Sequence, residues 1–170
     1  LQGLTIHSET KVLDLCCGSG QATQYLVKYS QDVTGLDASL FSLQRAERNV
    51  PQAQYVEGLA EEMPLPDAQF DLVHSSVAMH EMSPSGLQKI IKDVYRVLKP
   101  GGTFAIVDFH KPINLLFWPA VALFLWLFET QTAWQLLETD LPALLQDVGF
   151  RVRRHSLHAG GSLQVIQAEK

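Results

Sequence analysis

The chain has 170 residues, of which 46% are hydrophobic and 18% charged, and it carries a formal net charge of −5. That length suits one domain with a full core. The acidic balance excludes broad nucleic-acid binding through phosphate neutralisation, and Arg151, Arg153 and Arg154 read as a solvated strand face.

Strand and helix patterns then alternate along the sequence. Lys11–Leu15 is a short apolar strand, residues 21–29 a helix, and residues 32–36 a second strand ending at Asp37. Residues 39–49 form a helix that Ser39 can cap, and Gln54–Glu57 is a third strand. Two prolines make residues 63–67 a loop. Residues 70–74 are a fourth strand. Ser83 can cap the next helix and Pro84 suits its first position. Leu87, Ile90, Ile91, Val94 and Leu98 recur at helical spacing until Lys99-Pro100-Gly101-Gly102 stops them. Residues 103–108 are a fifth, apolar strand. Leu141–Val148 is a helix ending at Gly149, and residues 150–155 and 163–168 form a closing hairpin. This order predicts an α/β domain over residues 1–170 with a largely parallel sheet covered on both faces.

In such sheets ligands bind beyond the C-terminal ends of the strands. Residues 14–20, Asp37, residues 58–61 and residues 75–81 all fall there. The most informative segment is Val12-Leu13-Asp14-Leu15-Cys16-Cys17-Gly18-Ser19-Gly20, a buried strand running into a glycine-rich turn. The glycines let backbone approach a ligand, and the helix that follows directs free N–H groups toward it. Asp14 sits inside the strand end, where an unpaired carboxylate is costly. A nucleotide-like ligand carrying positive charge accounts for all three features.

The two cysteines are adjacent and point to opposite faces, so they read as reduced thiols of a cytoplasmic protein. No zinc-ligand spacing is present, and no metal is expected. The opening Leu1-Gln2-Gly3-Leu4 lacks a signal-peptide pattern. It also lacks an initial Met, which leaves room for an N-terminal cap segment.

Taken together and in this order, the motifs resemble class I S-adenosylmethionine-dependent methyltransferases. Residues 12–20 resemble that family's first motif, and Val33-Thr34-Gly35-Leu36-Asp37-Ala38-Ser39 its ribose-binding strand end. Residues 58–65 resemble its adenine-side loop, and Phe70-Asp71-Leu72-Val73 with Arg96-Val97-Leu98-Lys99-Pro100-Gly101-Gly102 completes the set. The Cys-Cys-Gly-Ser-Gly form is similar to that of quinone-ring methyltransferases. The resemblance implies a Rossmann-like, doubly wound seven-stranded sheet of order 3-2-1-4-5-7-6 with strand 7 antiparallel. It implies S-adenosyl-L-methionine as cofactor, held by Asp14, Cys16, Gly18, Ser19, Gly20, Asp37, Ala38, Leu59, Ala60, Glu61 and Ser75. Asp37 would bond the ribose hydroxyls, and Asp14 would lie near the methionine ammonium.

Two positions depart from the family pattern. Cys16 replaces the first glycine of the turn, which is tolerable if its φ is negative. Leu59 replaces the usual aspartate of the adenine loop. That removes a hydrogen bond of about 1–3 kcal/mol, for which the backbone of Leu59 and Ala60 or the carboxylate of Glu61 could substitute.

Methyl transfer from a sulfonium relies on positioning and exclusion of water. A general base is needed only where the acceptor must lose a proton early. His80 and Glu81, just past the fourth strand, are the candidates, with His80 preferred as the catalytic residue. His110 is the second choice, and His155 and His158 read as surface groups. Residues 115–128 are an unbroken nonpolar run, shorter than the about 20 residues of a membrane span and interrupted by Pro119. The run suits a lid or pocket for a small apolar acceptor, prenylated or lipid-like. It equally suits peripheral membrane contact, a dimer interface, or a core helix covering the sheet.

Two other functions fit parts of the sequence. An NAD-type dehydrogenase shares the glycine turn and the acidic second strand, although the third small residue of that fingerprint is missing. A catalytically silent cofactor-binding partner module would explain Leu59.

Overall fold

The computed structural model describes residues 3–114, 116, 118–128 and 131–170. Seven strands form one sheet in the order β3-β2-β1-β4-β5-β7-β6. They are β1 (Lys11–Leu15), β2 (Asp32–Asp37), β3 (Gln54–Glu57), β4 (Phe70–Ser76), β5 (Leu98–Phe109), β6 (Arg151–His158) and β7 (Leu163–Glu169). β1 to β5 run parallel, and β7 lies antiparallel between β5 and β6. This is the arrangement that the resemblance implies.

The helices are α1 (Thr23–Leu26), α2 (Leu40–Asn49), α3 (Pro84–Val97), α4 (Trp118–Phe128), α5 (Gln131–Leu137) and α6 (Leu141–Val148). On one face of the sheet, Leu13, Val73, Phe104 and Ile106 pack with Ile90, Ile91 and Val94 of α3 and Leu141 and Leu145 of α6. The other face has a smaller cluster of Val12, Val33, Leu72 and Ala105 beneath Leu26 of α1, with Leu4 and Ile6 against it. Ser39 and Ser83 cap α2 and α3 through the amides of Ser42 and Gly86.

Among the boundaries that differ from the sequence reading, such as β6 running to His158 instead of residue 155, three have local reasons. The helix expected over residues 21–29 is one turn. Tyr25, Lys28 and Tyr29 donate to the carbonyl three residues back, the tighter pattern of a helix that does not propagate. β4 runs two residues further, because Ser75 and Ser76 remain paired with Ile106 and Val107. β5 starts at Leu98, directly after α3. There the expected stop turn lies extended against the end of the chain, with Gly101 N donating to the Lys170 carbonyl and Lys170 N to that of Gly102.

Of the nonpolar run, Leu115 and Phe117 lie outside the described residues, as do Leu1 and Gln2 at the start of the chain. The rest forms α4. Trp118 packs edge-on against Trp134 with centroids 6.2 Å apart, and Val121 joins it over Ala133 and Leu137. Leu123, Trp126 and Leu127 face outward, Trp126 being 74% exposed. Their i, i+3, i+4 spacing makes one stripe, so the core-helix expectation does not hold for that side of α4. No described helix is long and apolar enough to cross a membrane.

Candidate active site

The glycine turn is held from both sides at the C-terminal edge of the sheet. Asp37 ends β2 and bridges two backbone amides: its Oδ2 accepts from Gly18 N at 2.8 Å and its Oδ1 from Ser39 N at 2.9 Å. Asn49, at the end of α2, donates to the Ser19 carbonyl at 3.0 Å. Gly20 has φ +84 and is buried against Ala46 and Val50, so a side chain there would press on α2. Around the position of a Gly18 Cβ there is open space. The turn is therefore pinned at its ends and open at its crest, where a ligand can lie against backbone. α1 is a single turn beginning at Thr23. The Gly18 amide is committed to Asp37.

Asp14 is 1% exposed and is fully partnered inside the protein. Thr23 Oγ1 donates to its Oδ2 at 2.6 Å, and His74 Nδ1 lies 2.9 Å from its Oδ1. Thr23 on α1 and His74 on β4 thus already partner the carboxylate for which the sequence invoked a cationic ligand. Asp14 joins the glycine turn to the neighbouring strand.

Cys16 adopts φ +56, the left-handed region, so the condition of a negative φ for a residue replacing glycine is not met. An L-residue there carries about 1–2 kcal/mol of strain, and here the cost is set against packing on the main core. Cys16→Gly should therefore leave stability within about 1 kcal/mol of wild type in chemical denaturation, because relief of strain offsets greater freedom of the unfolded chain. Cys16→Val should cost about 2 kcal/mol.

Burial pushes the Cys16 thiol up to about 12, and the carboxylates of Asp37, Glu81, Glu61 and Asp14 add to the rise. Burial also raises Cys17. Both thiols stay protonated at neutral pH and serve as packing groups, not nucleophiles. A pKa raised in the folded state gives stability that is present below the ordinary value of 9.0 and is lost as pH rises from there toward 12. Thermal midpoints should accordingly fall above pH 9, and Cys16→Ser should reduce that fall.

The same four carboxylates define the electrostatics of the site. Their charges act on Cys16 from β1, β2, the 58–61 loop and the turn after β4. Glu61 lies beside the start of α3, its Oε1 3.3 Å from where a Gly86 Cβ would stand. Leu59 is exposed, Ala60 is buried, and Gly58 N donates to the Asp37 carbonyl. This places the 58–61 loop next to β2, with Ala38 exposed just beyond. On β4, Ser75 is wholly buried and its Oγ has no partner among the described residues. An open backbone crest, an orphaned hydroxyl and a concentration of carboxylates together fit a cationic ligand with hydroxyl groups.

His80 lies in a short 3₁₀ turn, Met79–Glu81. It is 3% exposed, with Nδ1 2.9 Å from Asp108 Oδ1 and its ring against Phe109. Glu81 beside it is exposed. His110 is placed elsewhere. Its Nδ1 lies 2.9 Å from the Gly161 carbonyl, and it lines a crevice of about 650 Å³ with His155, Glu138, Asp140 and Gln164. His155 and His158 are exposed, as expected. Sequence reasoning overlooked Thr23, Asn49, His74 and Asp108. Asp108 carried a readable signal, an acid at the C-terminal end of an otherwise apolar strand, as Asp14 does.

This sheet order, with the glycine turn after β1 and the acid at the end of β2, defines a Rossmann-like, doubly wound α/β fold. The methyltransferase-domain family matches residues 12–102. A protein of Synechocystis named as an uncharacterized methyltransferase is 62% identical over 168 residues, covering 99% of this chain and 79% of the relative. A demethylmenaquinone methyltransferase of Listeria welshimeri is 29% identical, covering 94% of this chain and 78% of that protein. An S-adenosylmethionine-dependent methyltransferase of Methanosarcina mazei shares the fold with a TM-score of 0.77 at 21% identity, covering 98% and 94% of the two chains. The chain belongs to the class I S-adenosylmethionine-dependent methyltransferase family, and the dehydrogenase reading of its glycine turn falls away.

Proposed function

We propose that the enzyme binds S-adenosyl-L-methionine across the glycine turn and methylates a small acceptor with an apolar, prenyl- or lipid-like body. The carboxylates gathered around Cys16 carry the first half of this reading, since they favour a ligand with both an ammonium and a sulfonium. Asp37 keeps acceptor capacity on both oxygens for the ribose hydroxyls, because each carboxylate oxygen has a second lone pair. Gly18, Ser19 and Gly20 offer backbone beneath the ligand, with Cys16 alongside. Ala38, Leu59 and Ala60 supply apolar surface on the adenine side, with Glu61 at its edge, and Ser75 offers its orphaned hydroxyl. When bound, the cofactor supplies an electrophilic methyl group. The protein aligns the acceptor, excludes water, and takes up a proton where the acceptor has one to lose. His80 is the residue proposed for that proton.

The outward stripe of α4 supports the second half. It has no polar side chain, and it follows the C-terminal end of β5. The Listeria relative is named for demethylmenaquinone, which is consistent with an apolar acceptor. Incubation with radiolabelled S-adenosylmethionine and a panel of demethyl-quinols bearing short isoprenoid chains should place label in the organic phase. Transfer only to polar acceptors such as catechol or free amino acids would overturn the apolar assignment, and transfer to any acceptor rejects a silent module. Trp126→Ala should lower acceptor turnover at least about tenfold while changing stability by no more than about 0.5 kcal/mol, as expected for an exposed side chain. An equal loss of S-adenosylmethionine affinity would contradict a role confined to the acceptor.

A further inference from the structure

The loop that follows β3 is fastened to α3 by two side chains of that helix. Asp93 and Arg96 stand three residues apart and share one helix face. Arg96 Nε donates to Asp93 Oδ1 at 2.6 Å, and Arg96 Nη2 donates to Asp93 Oδ2 at 3.0 Å. That same Oδ2 accepts from Met63 N at 2.6 Å. Arg96 Nη2 also donates to the Met63 carbonyl at 3.0 Å. Its Nη1 donates to the Leu65 carbonyl and to Asp67 Oδ1, both at 2.7 Å. Every N–H of the guanidinium is thus engaged. The Asp67 side chain is exposed, whereas those of Arg96 and Asp93 are partly buried.

The fastening reaches the crest of the loop by a short closed path. Pro64 packs against Gly58 so closely that a Cβ on Gly58 would stand 2.5 Å from Pro64 Cδ. Gly58 N donates to the Asp37 carbonyl and Glu62 N to that of Leu59. Ala60 and Met63 are both buried in the main core. Leu59, 61% exposed, stands between these anchors. Neither Leu59 nor Ala60 has a polar side-chain atom. At these two residues a nucleobase can be hydrogen-bonded only by backbone, and the directions of those N–H and C=O groups follow from how the loop is held.

We infer that Arg96, together with Asp93, is a positioning residue for recognition of the cofactor's base. The pair sets the backbone of residues 58–63 against which the base is read. This rests on the proposed placement of the adenine beside residues 58–61. Lysine cannot take the place of Arg96, because an ammonium lacks the planar fork that spans a carboxylate and two carbonyls at once.

The test compares three ligands by calorimetry on the intact chain. They are S-adenosylhomocysteine, S-inosylhomocysteine, in which an oxo group replaces the amino group of the base, and S-ribosylhomocysteine, which has no base. Wild type should bind the adenosyl ligand at least about tenfold more tightly than the inosyl one, as a site that hydrogen-bonds its ligand does. In Arg96→Lys that preference should shrink below about threefold, with adenosyl affinity down about tenfold and ribosyl affinity changed less than about twofold. Loosening of the whole fold would weaken all three ligands together. Asp93→Asn keeps the side-chain shape without the charge that grips the guanidinium. It should lose part of the preference, and it carries the test if Arg96→Lys does not fold. Without any ligand, exchange of the Met63 amide read by NMR should quicken at least about tenfold in either variant. A wild type with no preference for the adenosyl ligand overturns the inference without any variant. A preference kept in full by the variants, or an equal loss for all three ligands, overturns it as well. Failure of the wild type to bind S-adenosylhomocysteine would instead sink the methyltransferase reading and leave the exchange result standing.

Discussion

Asp37→Ala should weaken S-adenosylmethionine binding by at least about 100-fold while the protein stays folded. Asp37 is half-buried at the end of β2, and its carboxylate bonds Gly18 N and Ser39 N. Removing it frees the crest of the glycine turn and the start of α2, and takes away both acceptors offered to the ribose. Hydrogen bonds to a charged group contribute about 1.5–3 kcal/mol each, and 100-fold in affinity corresponds to about 2.7 kcal/mol. The helix cap at Ser39 and the core beneath are untouched, so the thermal midpoint should drop only a few degrees. Calorimetric titration checks the affinity and circular dichroism the fold. Asp37→Asn should be intermediate, because an amide has only one acceptor oxygen to share between two donors.

Asp14→Ala should do the opposite, costing about 3–5 kcal/mol of stability before any effect on the ligand can be read. The side chain is buried between Thr23 and His74. Its loss leaves the Thr23 hydroxyl and the His74 ring unpartnered in the interior, the penalty for breaking a buried polar pair from one side. Chemical denaturation measures this directly. His74→Phe combined with Thr23→Val in the Asp14→Leu background should recover part of the loss, since an apolar replacement leaves no orphaned group. The contrast sorts two acids that look alike in sequence: each lies at the end of a strand beside the glycine turn, yet one is enclosed by Thr23 and His74 and the other holds the backbone of the turn.

That difference was not legible in the sequence. Strand periodicity marks Asp14 as buried, but its partners come from α1 and β4, nine and sixty residues away. Local pattern carries no record of such pairings, so the acid reads as awaiting a ligand. The sheet order was available only through the family resemblance that the motifs carry; the residues themselves indicated alternating strands and helices and a closing hairpin with a clear turn at residues 159–161. Capping by Ser39 and Ser83 was legible because it involves only neighbours in the chain. The conformation of Cys16 was not legible, because the backbone of a residue in a glycine position depends on what the turn must reach. Here Cys17 N bonds the Leu36 carbonyl and Gly18 N bonds Asp37, and that closure sets φ positive at Cys16. The nonpolar run was recognised, but composition alone cannot separate the side of α4 resting on α5 from the side that faces outward.

Asp108 shows the same limit from another direction. Its strand reads as apolar and its acid as a terminus. Only the adjacency of β4 and β5 brings the turn after one strand onto the carboxylate that ends the other.

The most direct test of the account is a crystal structure with S-adenosylhomocysteine. The ribose hydroxyls should lie within hydrogen-bond distance of Asp37, with the ligand's backbone contacts along Gly18 to Gly20. The open side of the sulfur should face the turn at residues 77–81 and the approach to α4. A ligand seated away from Asp37, or a sulfur whose open side is closed off from that turn, would contradict the assignment of this edge of the sheet as the methyl-transfer site.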